Sequence, residues 1–147
     1  MILRPAALED ASALAVVHAH GFDNPWPAEE IATLLTGPGG FGVIAEADGA
    51  VAGFLLARVV AGEAEVLTVV VSPERRRLGV GAALVEAVAG VAAAAGAEAV
   101  FLEAAVDNVA ALTLYERAGF REAGVRRGYY KRVGGVADAL VLRRDLG

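Results

Sequence analysis

The segment that most restricts this chain is SPERRRLGVGAALVEAV, residues 72–88. The residues before it, AEVLTVVV, are rich in β-branched side chains and read as a strand. Pro73 cannot donate to a sheet ladder, so the strand ends there. From Gly79 the chain continues in alanine, valine and leucine to Ala95, and Gly96 supplies a helix stop. A strand must therefore pass into a long helix through a turn holding Arg75, Arg76, Arg77 and two glycines. A helix amino end leaves backbone N–H groups unpaired and carries partial positive charge. Leu78, Gly79, Val80, Gly81 and Ala82 thus offer a row of amide donors, with full positive charge from the arginines. That arrangement suits a multiply negative group such as a phosphate. The competing reading is an exposed basic turn whose glycines serve close packing. A dinucleotide fingerprint does not fit, because Leu84 stands where Gly or Ala is required and the first strand of the chain lies elsewhere.

The rest of the chain places this turn in an α/β frame. MILRPA reads as a short strand and Leu8 to His20 as a helix with Leu14 and Val17 on one face. After DNPWPAEEI a second helix begins, with Pro27 in its first turn and Glu29 and Glu30 at its positive end. It should stop near TGPGG. FGVIAEA and AVAGFLLARVV flank Asp-Gly and should pair as a hairpin. AVFLEAA is a further strand, Asn108 to Ala118 a helix with an Asn cap, and FREAGVRR and ADALVLRRD two last strands. The order predicts one domain over residues 1–147: a mixed sheet of about seven strands, mostly antiparallel, with helices on both faces.

Composition excludes several chemistries. The chain has no cysteine, so disulfides, thiolate metal sites and cysteine nucleophiles are absent. Its two histidines, His18 and His20, lack metal-site company and read as helix surface or satisfied core. Neither serine lies in a nucleophile elbow, and no Gly-Lys-Ser/Thr phosphate loop exists. A net charge of −5 argues against direct nucleic-acid binding. The most apolar stretch, residues 78–102, contains Glu86 and Glu98 and reads as helix then strand, with no membrane span. Residues 1–10 lack the apolar run of a signal peptide, so a cytoplasmic location is expected.

Arg76-Arg77-Leu78-Gly79-Val80-Gly81 resembles the Arg/Gln-x-x-Gly-x-Gly signature of the GNAT N-acetyltransferases, and the element order resembles that fold along essentially the whole chain. NPWPAE, LEAAVDNVAALTLYERAGF and RRGYY resemble the bacterial ribosomal-protein-alanine N-acetyltransferases. The resemblance implies acetyl-CoA as donor, with no metal, and its pyrophosphate on the turn from Arg76 and Arg77 to Ala82. It implies a bulged strand splaying from the next one, with the pantetheine arm in the gap against backbone groups of Val69, Val70 and Val71. A backbone N–H near Val69 would steady the oxyanion. The implied partner is a protein amine, with the N-terminal alanine of a ribosomal protein favoured. Small-molecule amine acetylation and non-catalytic acetyl-CoA sensing remain the alternatives.

The same resemblance places the general base at Glu103 and the general acid at Tyr115. Each also stands out physically. Glu103 interrupts an apolar strand; if that strand is central, an ionised carboxylate there must be paired or line a cleft. Tyr115 lies two helical turns beyond Asn108, on nearly the same face. Asn108 is expected to cap the helix and reach the pantetheine region. A plain cap and a packed core aromatic are the simpler readings of this pair. Trp26 and Tyr130 are expected to wall an acceptor cleft, and Arg126 and Arg127 to bind a peptide carbonyl or stay solvated. Ala104, Ala105, Asp107 and the loop from Lys131 to Val136 depart from the family pattern, which bears on acceptor choice.

Overall fold

Two hairpin turns organise the amino-terminal half of the sheet. Asp48 and Gly49 take φ of 55° and 76°, and Ala61 and Gly62 take 52° and 80°. Paired positive φ values match the right-handed twist of flanking strands. They join β2 (Gly40–Ala47), β3 (Ala50–Val60) and β4 (Glu63–Val71) into a meander. In this computed structural model, which describes residues 1–76, 78–132 and 135–147, β1 (Ile2–Pro5) pairs with β2 at one edge. Helices α1 (Ala11–Ala19) and α2 (Ala28–Thr36) lie between β1 and β2 in sequence. Helix α3 (Val80–Ala94) follows β4, then β5 (Ala99–Ala105), α4 (Val109–Arg117), β6 (Arg121–Arg132) and β7 (Gly135–Asp145).

Among the described residues seven strands form one sheet in the order β1-β2-β3-β4-β5-β7-β6. All neighbours run antiparallel except β4 and β5. The mixed, mostly antiparallel sheet expected from the element order is therefore present. One face carries α3 and α4 over Leu84, Val88, Leu102 and Phe120. The other carries α1 and α2 over Leu14, Ile31, Ile44 and Phe54. None of the described helices is long and apolar enough to cross a membrane.

Three boundaries differ from the sequence reading. A short 3-10 turn, Leu8–Asp10, precedes α1. Pro27 is not in the first turn of α2 but caps it in extended conformation, where its carbonyl accepts from the amides of Glu30 and Ile31. Strand β6 continues past Arg127 to Arg132, because it bulges twice instead of stopping at its glycine.

The parallel β4–β5 pair is short. Glu63, Ala64 and Glu65 face Ala99, Val100 and Phe101, and the ladder then ends. Just beyond, β4 carries a bulge: Val66 pairs with Ala57 and Thr68 with Leu56, leaving Leu67 extra. A bulge adds local twist and bends its strand, which turns the carboxyl half of β4 away from β5.

Gly53 on β3 sets how closely α3 approaches this bent strand. A Cβ there would meet the Val70 carbonyl at 2.7 Å and a Val80 methyl at 3.1 Å. Gly53→Ala is expected to cost about 1–3 kcal/mol through overpacking, read as a lower denaturant midpoint with unchanged slope. An unshifted midpoint would show that α3 has room to give.

Candidate active site

The opening between β4 and β5 has a defined backbone. The amide of Ser72 donates to the Ala52 carbonyl on β3 at 2.8 Å. Backbone groups alternate sides along a strand, so Val70 and Thr68 also turn theirs toward β3. Val69 and Val71 therefore point their N–H and C=O toward the vacated β5 side. The Val71 carbonyl confirms the direction, since the Arg76 Nε reaches it at 3.3 Å. Side chains alternate as well: Val70 joins the α1–α2 cluster, while Val69 and Val71 pack against the α3–α4 cluster.

At the α3 end of the gap, Gly79 caps the helix with φ 80° and ψ 9°. This left-handed conformation is one that glycine adopts without a Cβ penalty. The first helical bond runs from the Ala83 amide to the Gly79 carbonyl, 3.1 Å. Val80, Gly81 and Ala82 thus occupy the first-turn positions whose amides have no intrahelical acceptor. The surroundings of this turn bear on two of the readings above. Gly81 does not leave its side-chain direction open to a ligand: a Cβ there would meet Leu114 of α4 at 2.9 Å, so its small size serves α3–α4 packing. Arg75 turns toward the β2–β3 hairpin, where it pairs with Asp48 at 2.7 Å. Leu78 is exposed, and Arg77 lies outside the described residues.

An open cleft of about 1410 Å³ lies along the gap, lined by β4 as far as Val69 and by β5 from Phe101 to Ala105. Glu103, Tyr115, Asn108, Trp26 and Tyr130 all line it. Period two along β5 separates them by face. Leu102 and Ala104 belong to the α3–α4 cluster, so Glu103 projects on the α1–α2 side. Tyr115 is itself part of the α3–α4 cluster. The carboxylate and the phenol thus reach the gap from opposite faces of the sheet.

Burial fits each group to its face. Tyr115 is 7 % exposed and edge-on to Phe120 at 6.0 Å between ring centres. Desolvation, with a smaller contribution from Tyr130, pushes its hydroxyl up to about 12. It stays protonated throughout the neutral range. Asn108 caps α4, accepting from the Ala111 amide at 3.2 Å. The carboxylate of Glu103 is 20 % exposed and is held by Arg126 at 2.7 Å. That pairing answers the cost of placing a charge in an apolar central strand.

Several contacts at the cleft were not foreseen from sequence. Arg126 lies over the ring of Tyr129, 4.2 Å from its centre, besides holding Glu103. Tyr130 donates to the Glu103 carbonyl at 3.0 Å. Both tyrosines owe their position to an enlarged bulge. Arg126 pairs with Ala139 and Tyr130 with Ala137, so residues 127–129 oppose Asp138 alone. The Asp138 side chain accepts from the Gly128 amide at 2.8 Å and holds the bulge. His18 is fully buried, bonded to Thr68 and to the Trp26 backbone. The Gly-Tyr-Tyr run and the sole tryptophan were visible signals, but the contact of His18 with Thr68 spans 50 residues and left none.

The comparisons bear on the family and the fold as a whole. Residues 9–120 match the Acetyltransferase (GNAT) family, and the chain belongs to that family. It is 38 % identical over 144 residues to N-alpha-acetyltransferase RimI of Mycobacterium tuberculosis, covering 94 % of this chain and 88 % of that protein. It is 37 % identical over 95 residues to the [ribosomal protein bS18]-alanine N-acetyltransferase of Escherichia coli, and that match spans 65 % of this chain and 64 % of the relative. The crystal structure of the Escherichia coli ribosomal-protein-S18-alanine N-acetyltransferase superposes with a TM-score of 0.92 at 28 % identity, covering 99 % of this chain and 94 % of that one.

The raised Tyr115 value carries a testable sign. An unfolded tyrosine ionises near ~10, so stability should fall as pH rises from there toward about 12. Absorbance titration at a tyrosinate wavelength should show a last phase near that value, which Tyr115→Phe removes. A Tyr115 phase centred near its ordinary value would contradict the burial.

Proposed function

We propose that this chain transfers the acetyl group of acetyl-CoA to a protein α-amine by direct attack in a ternary complex, with the N-terminal alanine of a ribosomal protein as the favoured acceptor. The observation that carries this reading is the two-faced gap, with a carboxylate on one side, a protonated phenol on the other and strand amides between. The family membership supports the acetyl donor, and the relatives named for an alanine amine support the acceptor.

The donor's pyrophosphate would rest on the first-turn amides of Val80, Gly81 and Ala82, with Arg76 nearby. Arg77, Leu78 and Gly79 complete that turn in sequence. Its pantetheine arm would take the place of the missing strand along Val69, Val70 and Val71, bonding to the outward groups of Val69 and Val71. Asn108 lines the same cleft. The acceptor would arrive on the α1–α2 face, between Trp26 and Tyr130.

The chemistry then follows the two faces. The neutral amine nitrogen attacks the thioester carbonyl carbon, forming the C–N bond. The Val69 N–H stabilises the developing oxyanion. The proton leaving nitrogen goes to Glu103, directly or through one water. As the C–S bond breaks, Tyr115 gives its hydroxyl proton to the departing sulfur. An α-amine with pKa near ~8 is far more often neutral at pH 7 than a lysine near ~10.4, so a modest base suffices. Arg126 keeps the carboxylate oriented on the acceptor side.

Glu103→Gln and Tyr115→Phe are each expected to lower turnover by about 10²–10⁴-fold, with calorimetric acetyl-CoA affinity unchanged. The kcat/KM of wild type should climb through pH ~8 with the acceptor amine and show no fall from Tyr115 until about 12. Undiminished turnover in both variants would remove the role assignments. A peptide array with labelled donor tests the acceptor class; turnover of polyamines without any peptide would replace it.

A further inference from the structure

His18 is a buried ionisable group that the chemistry above does not use. It lies in the last turn of α1, and its ring is buried among aromatic rings, the Thr68 hydroxyl and a backbone amide. Its Nδ1 accepts the backbone N–H of Trp26 at 3.0 Å, which fixes that nitrogen as unprotonated. Its Nε2 therefore carries the hydrogen and lies 3.1 Å from Thr68 Oγ1. The ring stacks on Phe22 at 4.3 Å and on Trp26 at 5.1 Å, and meets Phe54 of β3 at 6.2 Å. Phe22, Trp26 and Thr68 all line the cleft, on the face where Glu103 projects. One imidazole thus joins three parts of the structure: α1, the segment from Gly21 to Trp26, and β4 one residue past its bulge.

We propose that His18 is a positioning residue of the acceptor side, whose neutral imidazole ties the segment from Gly21 to Trp26 to β4 and so builds the aromatic wall against which the acceptor peptide packs. The acceptor role rests on the functional reading above; the tether does not. A protonated ring carries hydrogen on both nitrogens. Its Nδ1–H would then oppose the Trp26 N–H, donor against donor, and the wall would lose its anchor. None of the partners around the ring offers a compensating charge: Thr68 comes from β4, Phe54 from β3, and Phe22 and Trp26 from the connecting segment. On that segment Asp23 is exposed on the cleft lip, and His20 lies exposed beyond the end of α1. Desolvation accordingly lowers the His18 pKa below its ordinary 6.5. The tether is intact at neutral pH and is lost only as pH falls through that lowered value, while the donor side of the sheet is untouched.

Trp26 is the chain's sole tryptophan, so its emission reports on the wall without reference to activity. Emission should change in one acid titration centred below about 6.5, and His18→Gln, which keeps a neutral amide near both partners, should abolish it. The second measurement is affinity for an N-acetylated, alanine-initiated hexapeptide, which has no amine to titrate. In wild type that affinity should fall about tenfold between pH ~7 and pH ~5, a change the size of one hydrogen bond. Calorimetric CoA affinity should change less than about twofold over the same range, and His18→Gln should bind the peptide equally at both pH values. Emission that ignores pH, or titrates identically in His18→Gln, overturns the tether. A normal emission titration with pH-independent peptide affinity overturns the acceptor role. A titrating tether with no peptide binding at any pH also overturns that role and moves the fault to the assigned acceptor class.

Discussion

The site depends on a ladder that stops. β4 and β5 share three residue pairs and then part, and the candidate residues Glu103, Tyr115, Asn108, Trp26 and Tyr130 line the space they leave. A parallel sheet normally buries its backbone groups in hydrogen bonds to both neighbours. Here the Leu67 bulge bends β4, and the groups of Val69 and Val71 are turned outward with no strand to receive them. Unpaired strand edges are sites for added strands. In this chain the edge lies inside the sheet, between two strands of the same fold.

Much of the architecture was legible from sequence because local signals agreed with the global pattern. Asp48-Gly49 specified its hairpin, Pro73 ended β4, and Asn108 and Gly119 bounded α4. The glycine turn was legible for the same reason, since an αL residue at a helix start is a local demand. What the sequence concealed was non-local. Which of its two readings Gly81 serves could not be separated until α4 was seen to lie against it. Arg75 looked like part of an anion site until the β2–β3 turn brought Asp48 beneath it. The partnership of Glu103 with Arg126 depends on the register of three strands, and no spacing along the chain encodes that.

The two faces of the sheet divide the labour physically. The α3–α4 face is dry where Tyr115 sits, and desolvation keeps the phenol protonated. The α1–α2 face is more polar near the gap, with an ion pair, two tyrosines and a bonded imidazole. In the proposed reaction a proton is taken up on one side and given out on the other, so no group has to serve both tasks.

The Asp138 bulge suggests how such an enzyme can change its diet. Three residues of β6 are looped out and pinned by a single side chain, while register on either side is kept. Lengthening or rewriting that short arch would redraw the rim on which we place the acceptor, while the β5–β7 register on its other side is kept. Diversification along a lineage can therefore proceed on one rim of the molecule while the catalytic framework stays constant.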